Sequence, residues 1–502
     1  MGKIPNFITV EYTEPDKGEI INYAYHDFVM ALDGFQTYDE QYDLTNFKYV
    51  MVIYVDGIEV ATLKAPKEKN KSYGLFNFRP IVEDFVKTDE GGYDFKFGNI
   101  VINSTKLGND FMDVNHSIHE IDKFARNRDN LIQVTYTIGC TFYNLTTQQQ
   151  DTSIQVFPKF DSKANFLPYY YFWNGVLQHH RQQQGFKDYK FYMLNGTGKQ
   201  FLTNKQPNCK REVVKTDYET LAFFNGVFRV NISGHGHGST AVSESSAVAD
   251  IYIKAYGDSS FNMIIPNNDA NGGSYNPIFQ SQFLIPNNPT FSDEGLLYVG
   301  VGPKNIIDNG LNDTGGNPVT STTFDGVNRY EVWARDILGT RISKIYNFDV
   351  IEENCTYERI RIAYLNRMGA WDYINFRKKS TRTTDITRSN YMSGYGYLPL
   401  QYNNVNQNNK WEYGSYEGGT RSYNVNAIQN IEANTDFLNE ADAEALEQLF
   451  TSPVAYIQRS DAKFEPVLVT EKDYLLQTTD NDKLKQYIVN IQYGHQTRVQ
   501  RL

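Results

Sequence analysis

Apolar and polar positions alternate with a period of two over many short stretches of this chain, and few stretches carry the 3.6-residue repeat of an amphipathic helix. Phe47 to Val55 (FKYVMVIYV) is an apolar, β-branched and aromatic run, and Ile58 to Leu63 (IEVATL) resumes it after Asp56-Gly57. A DG pair between two such runs predicts a two-residue hairpin, because both turn residues need positive φ. Leu131 to Tyr143 (LIQVTYTIGCTFY) alternates and is expected to close the same sheet with one face buried. Arg79 to Val86 predicts a short helix with Pro80 in its first turn, where a missing N–H costs nothing.

The middle of the chain repeats the theme between polar loops. Leu221 to Ile232 (LAFFNGVFRVNI) places Asn225-Gly226 between aromatic flanks and predicts a second hairpin. Ala249 to Tyr256 alternates; Gly326 to Ala334 and Arg341 to Val350 read as two strands joined by a turn around Asp336 to Gly339. Asn267 to Pro277 and Asp308 to Thr323 are rich in Asn, Gly, Asp, Ser and Thr and read as surface loops.

The last part differs in texture. Tyr357 to Tyr364 (YERIRIAY) alternates, and Lys378 to Arg421 is a long polar stretch, expected either as irregular strands or as an arm that clasps a neighbour. One helix is well marked. Asn439 caps it, Glu440 and Asp442 lie in its first turn, Leu446, Leu449 and Phe450 form its apolar stripe, and Pro453 ends it. Pro466 to Thr470 and Leu484 to Tyr493 read as closing strands. The expected fold is mainly β: several antiparallel β-sandwich-like domains at 1–150, 151–350 (with a further boundary near 260–290) and 351–502, the last holding the helix 440–450.

Composition narrows the function classes. The 502 residues are 40% hydrophobic and 21% charged, enough apolar matter for real cores and too little charge for a disordered chain. Aromatic residues reach 15%, with 37 Tyr and 32 Phe; both suit strands, and Tyr suits contact surfaces. The formal charge of −11 opposes sequence-specific nucleic-acid binding, which needs clustered cations. Cys140, Cys209 and Cys355 are far apart and odd in number, so no disulfide framework is expected. Met1-Gly2-Lys3-Ile4-Pro5 is not followed by an apolar signal core, and no run of about 18 apolar residues suggests a membrane helix.

Candidate chemistry is sparse. His235 and His237, within His235-Gly236-His237-Gly238, share a face if extended and are the weak metal candidates; no Cys, Asp or Glu stands close by, so a loop tip is expected. His116-Ser-Ile-His119-Glu120 has the wrong order for a zinc-protease helix. There is no GxSxG and no phosphate-cradling GxxxxGK[ST]. Arg377 to Arg388 is basic, but aromatic residues are not interleaved with its charges, so it is expected to be an exposed loop or a subunit contact. Neither a catalytic residue nor a cofactor is expected.

A series of ordered phrases adds a role. Ile362 to Arg377 (IAYLNRMGAWDYINFR) comes first, followed by Ser422 to Val425, Asn434 to Leu438, Leu449 to Val454 and Leu484 to Tyr493. This series resembles virion proteins of tailed bacteriophages, short-tailed phages of the crAss-like kind in particular. Phe47 to Ala65, with Tyr73 to Phe76, looks like the start of the same proteins. The resemblance covers the first 90 and last 150 residues or so and carries over no active site. It implies a structural component of the tail or head-to-tail assembly (hub, ring or adaptor), made in the host cytoplasm. Its partners would be other virion proteins in tail and portal-proximal rings, in a cyclic homo- or hetero-oligomer, with no membrane partner. Trp371, Tyr373 and Phe376 are the core or interface candidates. A receptor- or glycan-binding tail protein is the alternative, and a tail-borne glycan-cleaving enzyme a third class.

Overall fold

The structure is a computed structural model. It describes residues 9–14, 21–25, 27–33, 42–70, 73–88, 117–120, 124–126, 130–152, 169–176, 191–205, 207, 209, 211–224, 227–230, 240–243, 248–266, 296–308, 310–336, 338–352, 357–394, 415–416, 418–460, 463–471, 486–495 and 497–498. These residues form several antiparallel sheets with few helices, a mainly β fold. The chain divides into two compact units, Met1–Glu353 with Tyr364–Tyr373, and Asn354–Ala363 with Ile374–Leu502.

In the first unit the expected hairpin is present. Strands Tyr42–Val55 and Ile58–Pro66 pair through Asp56 and Gly57, whose φ values of 48° and 82° fit the turn that Asp-Gly favours. Leu131–Asn144 pairs with Tyr42–Val55 on one side, but it does not close the sheet. Tyr169–Trp173 pairs with its other side, and Ile21–Tyr23 follows in parallel. Residues 136–141 are buried on both faces, a correction to the single buried face expected from alternation. A second sheet, Thr9–Glu14, Val29–Asp33 and Gly74–Asn77, leads into the helix Arg79–Phe85 with Pro80 in its first turn. Met30 and Leu32 of that sheet, Val82 of the helix, and Tyr49, Tyr136, Tyr170 and Phe172 of the larger sheet share one core.

A further sheet runs Glu212–Val213, Tyr346–Val350, Val327–Arg335, Asp250–Gly257, Phe261–Pro266. The expected pairing around Asp336 to Gly339 is seen, with Asp336 Oδ1 accepting from the backbone N–H of Leu338 and Thr340 at 2.9 and 2.8 Å. The turn expected at Asn225-Gly226 lies outside the described residues, and the strands that flank it are paired with other partners. Thr220–Phe224 pairs with Leu296–Gly300 and Val227–Val230 with Thr240–Ser243. All five residues of Thr220–Phe224 are buried, so that strand needs a cover that a short local hairpin does not supply. Between the helices Pro303–Asp308 and Ser321–Phe324, Asp313 organises a tight loop. Its carboxylate accepts from Asn317 Nδ2 at 3.1 Å and from the backbone N–H of Asn317 and Gly315 at 2.8 Å each.

Within the first unit a polar network sits among the aromatic rings. Asp372 accepts from Thr203 Oγ1, from Asn204 N–H at 3.1 Å and from Asn366 Nδ2 at 3.0 Å. Asn366 Oδ1 in turn accepts from Met368 and Ala370 N–H, closing the turn that carries Gly369 at φ 72°. A Cβ on Gly369 would come within 2.2 Å of the Asn174 carbonyl oxygen, so only glycine fits there. Lys205 Nζ donates to the Tyr373 carbonyl, and Arg211 donates to the Lys205 carbonyl while lying 4.8 Å from the Tyr346 ring centre. Burial first, then the Asp372 carboxylate, hold the Tyr364 hydroxyl well above its ordinary pKa.

In the second unit the order is Ala455–Gln458, Phe464–Val469, Ile488–Tyr493, Thr420–Asn434, Thr381–Met392, all antiparallel. Beyond Ala455–Gln458 the sheet takes in Ile360–Leu365 and Trp371–Phe376, of which residues 360–363 and 374–376 belong to this unit. The helix Glu440–Thr451 begins at Asn439, whose Oδ1 accepts from Asp442 N–H at 2.9 Å, and buries Ala443, Leu446 and Leu449.

Two outcomes follow. Asp372→Ala removes the acceptor shared by three donors, two of them buried, and should lower the stability of the first unit by about 1–3 kcal/mol, read as a lower urea midpoint; an unchanged midpoint contradicts the network's role. Asp313 is held below the usual carboxylate range, chiefly by the Asn317 side chain and then by backbone N–H groups. A depressed folded pKa contributes stability above the unfolded value of about 3.9 and loses it as pH falls through the folded value. The stability advantage of wild type over Asp313→Ala should therefore be present at neutral pH and vanish in strong acid, as thermal melts at a series of pH values will show.

Candidate functional site: an exposed β-ribbon

Trp371, Tyr373 and Phe376 are 2%, 1% and 1% exposed. The Tyr373 hydroxyl lies 2.7 Å from His119 Nδ1 and 3.1 Å from Thr220 Oγ1, and His119 packs edge-on to Trp371 with ring centres 4.7 Å apart. Asn305 Nδ2 donates to the His119 carbonyl at 2.9 Å. His119 and Tyr373 are the titratable members of this cluster, and they face one another from within the interior. A buried tyrosine needs a hydroxyl partner, and His119 and Thr220 supply it. The arrangement is a clamp for packing. Sequence reading set His119 aside for its motif order, and only the fold brings it to Tyr373.

His235 and His237 lie outside the described residues. Among the described residues no group of three His, Cys, Asp or Glu could hold a metal ion, and no helix is long and apolar enough to cross a membrane. Cys140 and Cys209 are both buried.

The feature that stands out is on the surface. Lys378 to Arg421 was expected as irregular strands or as an arm that clasps a neighbour; Thr381–Met392 within it is a regular twelve-residue strand, eleven of its residues exposed and the other half-buried. It is the edge of its sheet and pairs along its full length with Thr420–Asn434. The reason it forms is local. Four threonines are β-branched and tolerate water, and each ladder bond closes against the partner strand. Neither face is apolar, so no alternation announced it. A bulge between Ser389 and Asn390 increases the local twist.

Support for the ribbon is uneven. Asn430 to Asn434 of the longer strand also pair with Ile488–Tyr493, and Asn426 and Ala427 with Thr497–Arg498. From Thr420 to Val425 the described partner is Thr381–Met392 alone. The distal half is thus a two-stranded ribbon, an element of marginal stability by itself in water. Lys378 and Arg382 near its base pair with Asp436 at 3.0 Å and Glu358 at 2.7 Å. Farther out stand Ile386, Tyr391, Met392 and Tyr423, all exposed, with Met392 at 82%. Tyr391 and Tyr423 meet edge-on with centres 6.3 Å apart. Arg388 and Arg421 accompany them, and residues 386–392 and 420–428 hold no carboxylate. Aromatics, Met and Arg without Asp or Glu is the composition that distinguishes the centre of protein interfaces from ordinary surface.

No family model matches this chain. No curated protein matches it either. Among solved structures, similarity extends to dimeric latent PorU from Porphyromonas gingivalis, with 9% identity and a TM-score of 0.16, over 85% of this chain and 32% of that one. The chain thus spans about a third of that protein's length, and a likeness this slight carries no argument about fold or function.

Because the ribbon's outer side chains bury nothing within the chain, Tyr391→Ala with Tyr423→Ala should change stability by less than about 0.5 kcal/mol. A large drop in thermal midpoint would show that the ribbon belongs to the chain's own core.

Proposed function

We propose that this chain is a structural component of a bacteriophage virion, in the tail or head-to-tail assembly, acting through protein–protein interfaces and not through catalysis. The observation that carries this reading is the ribbon of Thr381–Met392 and Thr420–Asn434, which offers exposed Tyr, Met, Ile and Arg on an open sheet edge. A free edge also presents unpaired backbone groups to which a neighbour's strand can add. A monomer gains nothing from that surface and risks aggregation by it, whereas an assembly covers it. The phrases shared with tailed-phage virion proteins, Ile362 to Arg377 foremost, supply the setting.

A second reading, glycan or receptor binding at the tail, has its own observation. On the outward side of the sheet in the first unit, half-buried Tyr252 and Trp333 meet at a tilt of 33° with ring centres 4.7 Å apart, and Arg335 lies 4.4 Å from the Tyr252 ring centre. Arg335 also holds Asp250 through two hydrogen bonds of 2.7 and 2.9 Å. Aromatic faces beside fixed planar polar groups suit a sugar ring.

Electron cryomicroscopy of virions in which this chain carries an N-terminal tag decides between them. Density at a ring between capsid and tail tip is expected. Absence of the chain from purified virions overturns the proposal. Location at a distal tip, with glycan-array binding lost in Trp333→Ala, replaces it by the second reading.

A further inference from the structure

We infer that the distal ribbon docks head-to-tail on the helix Glu440–Thr451 of a second copy of this chain. This rests on the assembly reading and names its partner.

Charge points to the occupant. Residues 377–394 hold Arg377, Lys378, Lys379, Arg382 and Arg388 against Asp385 alone, in a chain whose formal charge is −11. The base of the ribbon satisfies Lys378 and Arg382 internally, while Arg388 and Arg421 make no ion pair among the described residues. The ribbon is therefore a local cationic, aromatic projection on an anionic protein, and its complement is present on every other copy. The helix Glu440–Thr451 carries Glu440, Asp442, Glu444 and Glu447 and no Lys or Arg. Asp442 lies in the first turn, where a carboxylate serves the helix itself. Glu444 and Glu447 lie beyond that turn, three apart and so on one side, with Glu444 exposed and Glu447 half-buried. The last turn lacks a cation, which leaves the negative end of the helix dipole uncompensated.

Strand geometry argues against the simplest rival, two ribbons pairing edge to edge about a two-fold axis. Residues directly opposite in a ladder share a face, and a two-fold axis perpendicular to the sheet preserves faces. Opposed residues must then differ by an even number in sequence. Asp385 is three residues from both Arg382 and Arg388, so symmetric pairing of the strand never sets a carboxylate opposite a guanidinium. A register centred on Asp385 sets Arg382 against Arg388, and one centred on Arg388 sets that residue against itself, both repulsive. A heterologous contact escapes this restriction, and heterologous contacts form rings where the rotation between copies closes.

Sedimentation velocity on the full chain at low ionic strength tests the inference, because charge contacts weaken as the Debye length shrinks with salt. Wild type should sediment faster as concentration rises, and less so in high salt. R388E/R421E should weaken association about tenfold or more, and E444K/E447K should do the same. Mixed together, the two variants set native ribbon against native helix at one contact and reversed charges of complementary sign at the next, and should regain association that neither shows alone. Both variants should keep wild-type circular dichroism, since Arg388 and Glu444 are exposed and Arg421 and Glu447 only half-buried; Y391A/Y423A, which leaves charge unchanged, should weaken association as well. Wild type that stays monomeric at all concentrations, variants that associate like wild type, or a mixture that stays monomeric overturns the inference. Monomeric behaviour of a chain found in the virion removes this inference alone, whereas self-association of a chain absent from the virion removes only the assembly reading.

Discussion

Burying tyrosine is the demand that shapes the first unit. A Tyr ring brings a large apolar area into the core, but its hydroxyl must arrive at a partner or forfeit much of the gain. With 37 Tyr in the chain, that demand recurs. Tyr298 donates to the Gly369 carbonyl at 3.1 Å and Tyr330 to the Val301 carbonyl at 3.0 Å, while Tyr373 meets His119 and Thr220. The partners come from turns and from strands distant in sequence. The polar groups of this interior are thus the counterpart of its aromatic content, and they hold remote segments in one arrangement. Asp372 shows the same logic for a carboxylate: three donors converge on it from residues 203, 204 and 366.

The ribbon obeys the opposite rule. Its tyrosines have no core to enter, and its edge has no described strand to pair with. Within one chain this arrangement brings little stability, since an isolated two-stranded element is marginal. Its composition makes sense once the complement is sought outside the chain. Contact area from Tyr and Met, direction from Arg, and absence of carboxylates suit an anionic neighbour. Cohesion inside a copy and adhesion between copies then fall to different elements. Substitutions at Tyr391 or Arg388 act on the second while sparing the first.

Alternation along the chain determined the elements wherever one face meets water and the other meets core. The Asp56-Gly57 hairpin, the pair Val327–Arg335 and Tyr346–Val350, and the Asn439-capped helix were all legible, because their causes lie within a few residues of each other. The mainly β class followed from the same pattern. Tertiary structure alone decided the cases at the two extremes of burial. Residues 136–141 and Thr220–Phe224 are buried on both faces, and Thr381–Met392 is exposed on both. Periodicity reports only a difference between faces, so it falls silent when the faces are alike. It also records nothing of the separation in sequence between contacting groups, which is why His119, Thr220 and Tyr373 came together only in the fold.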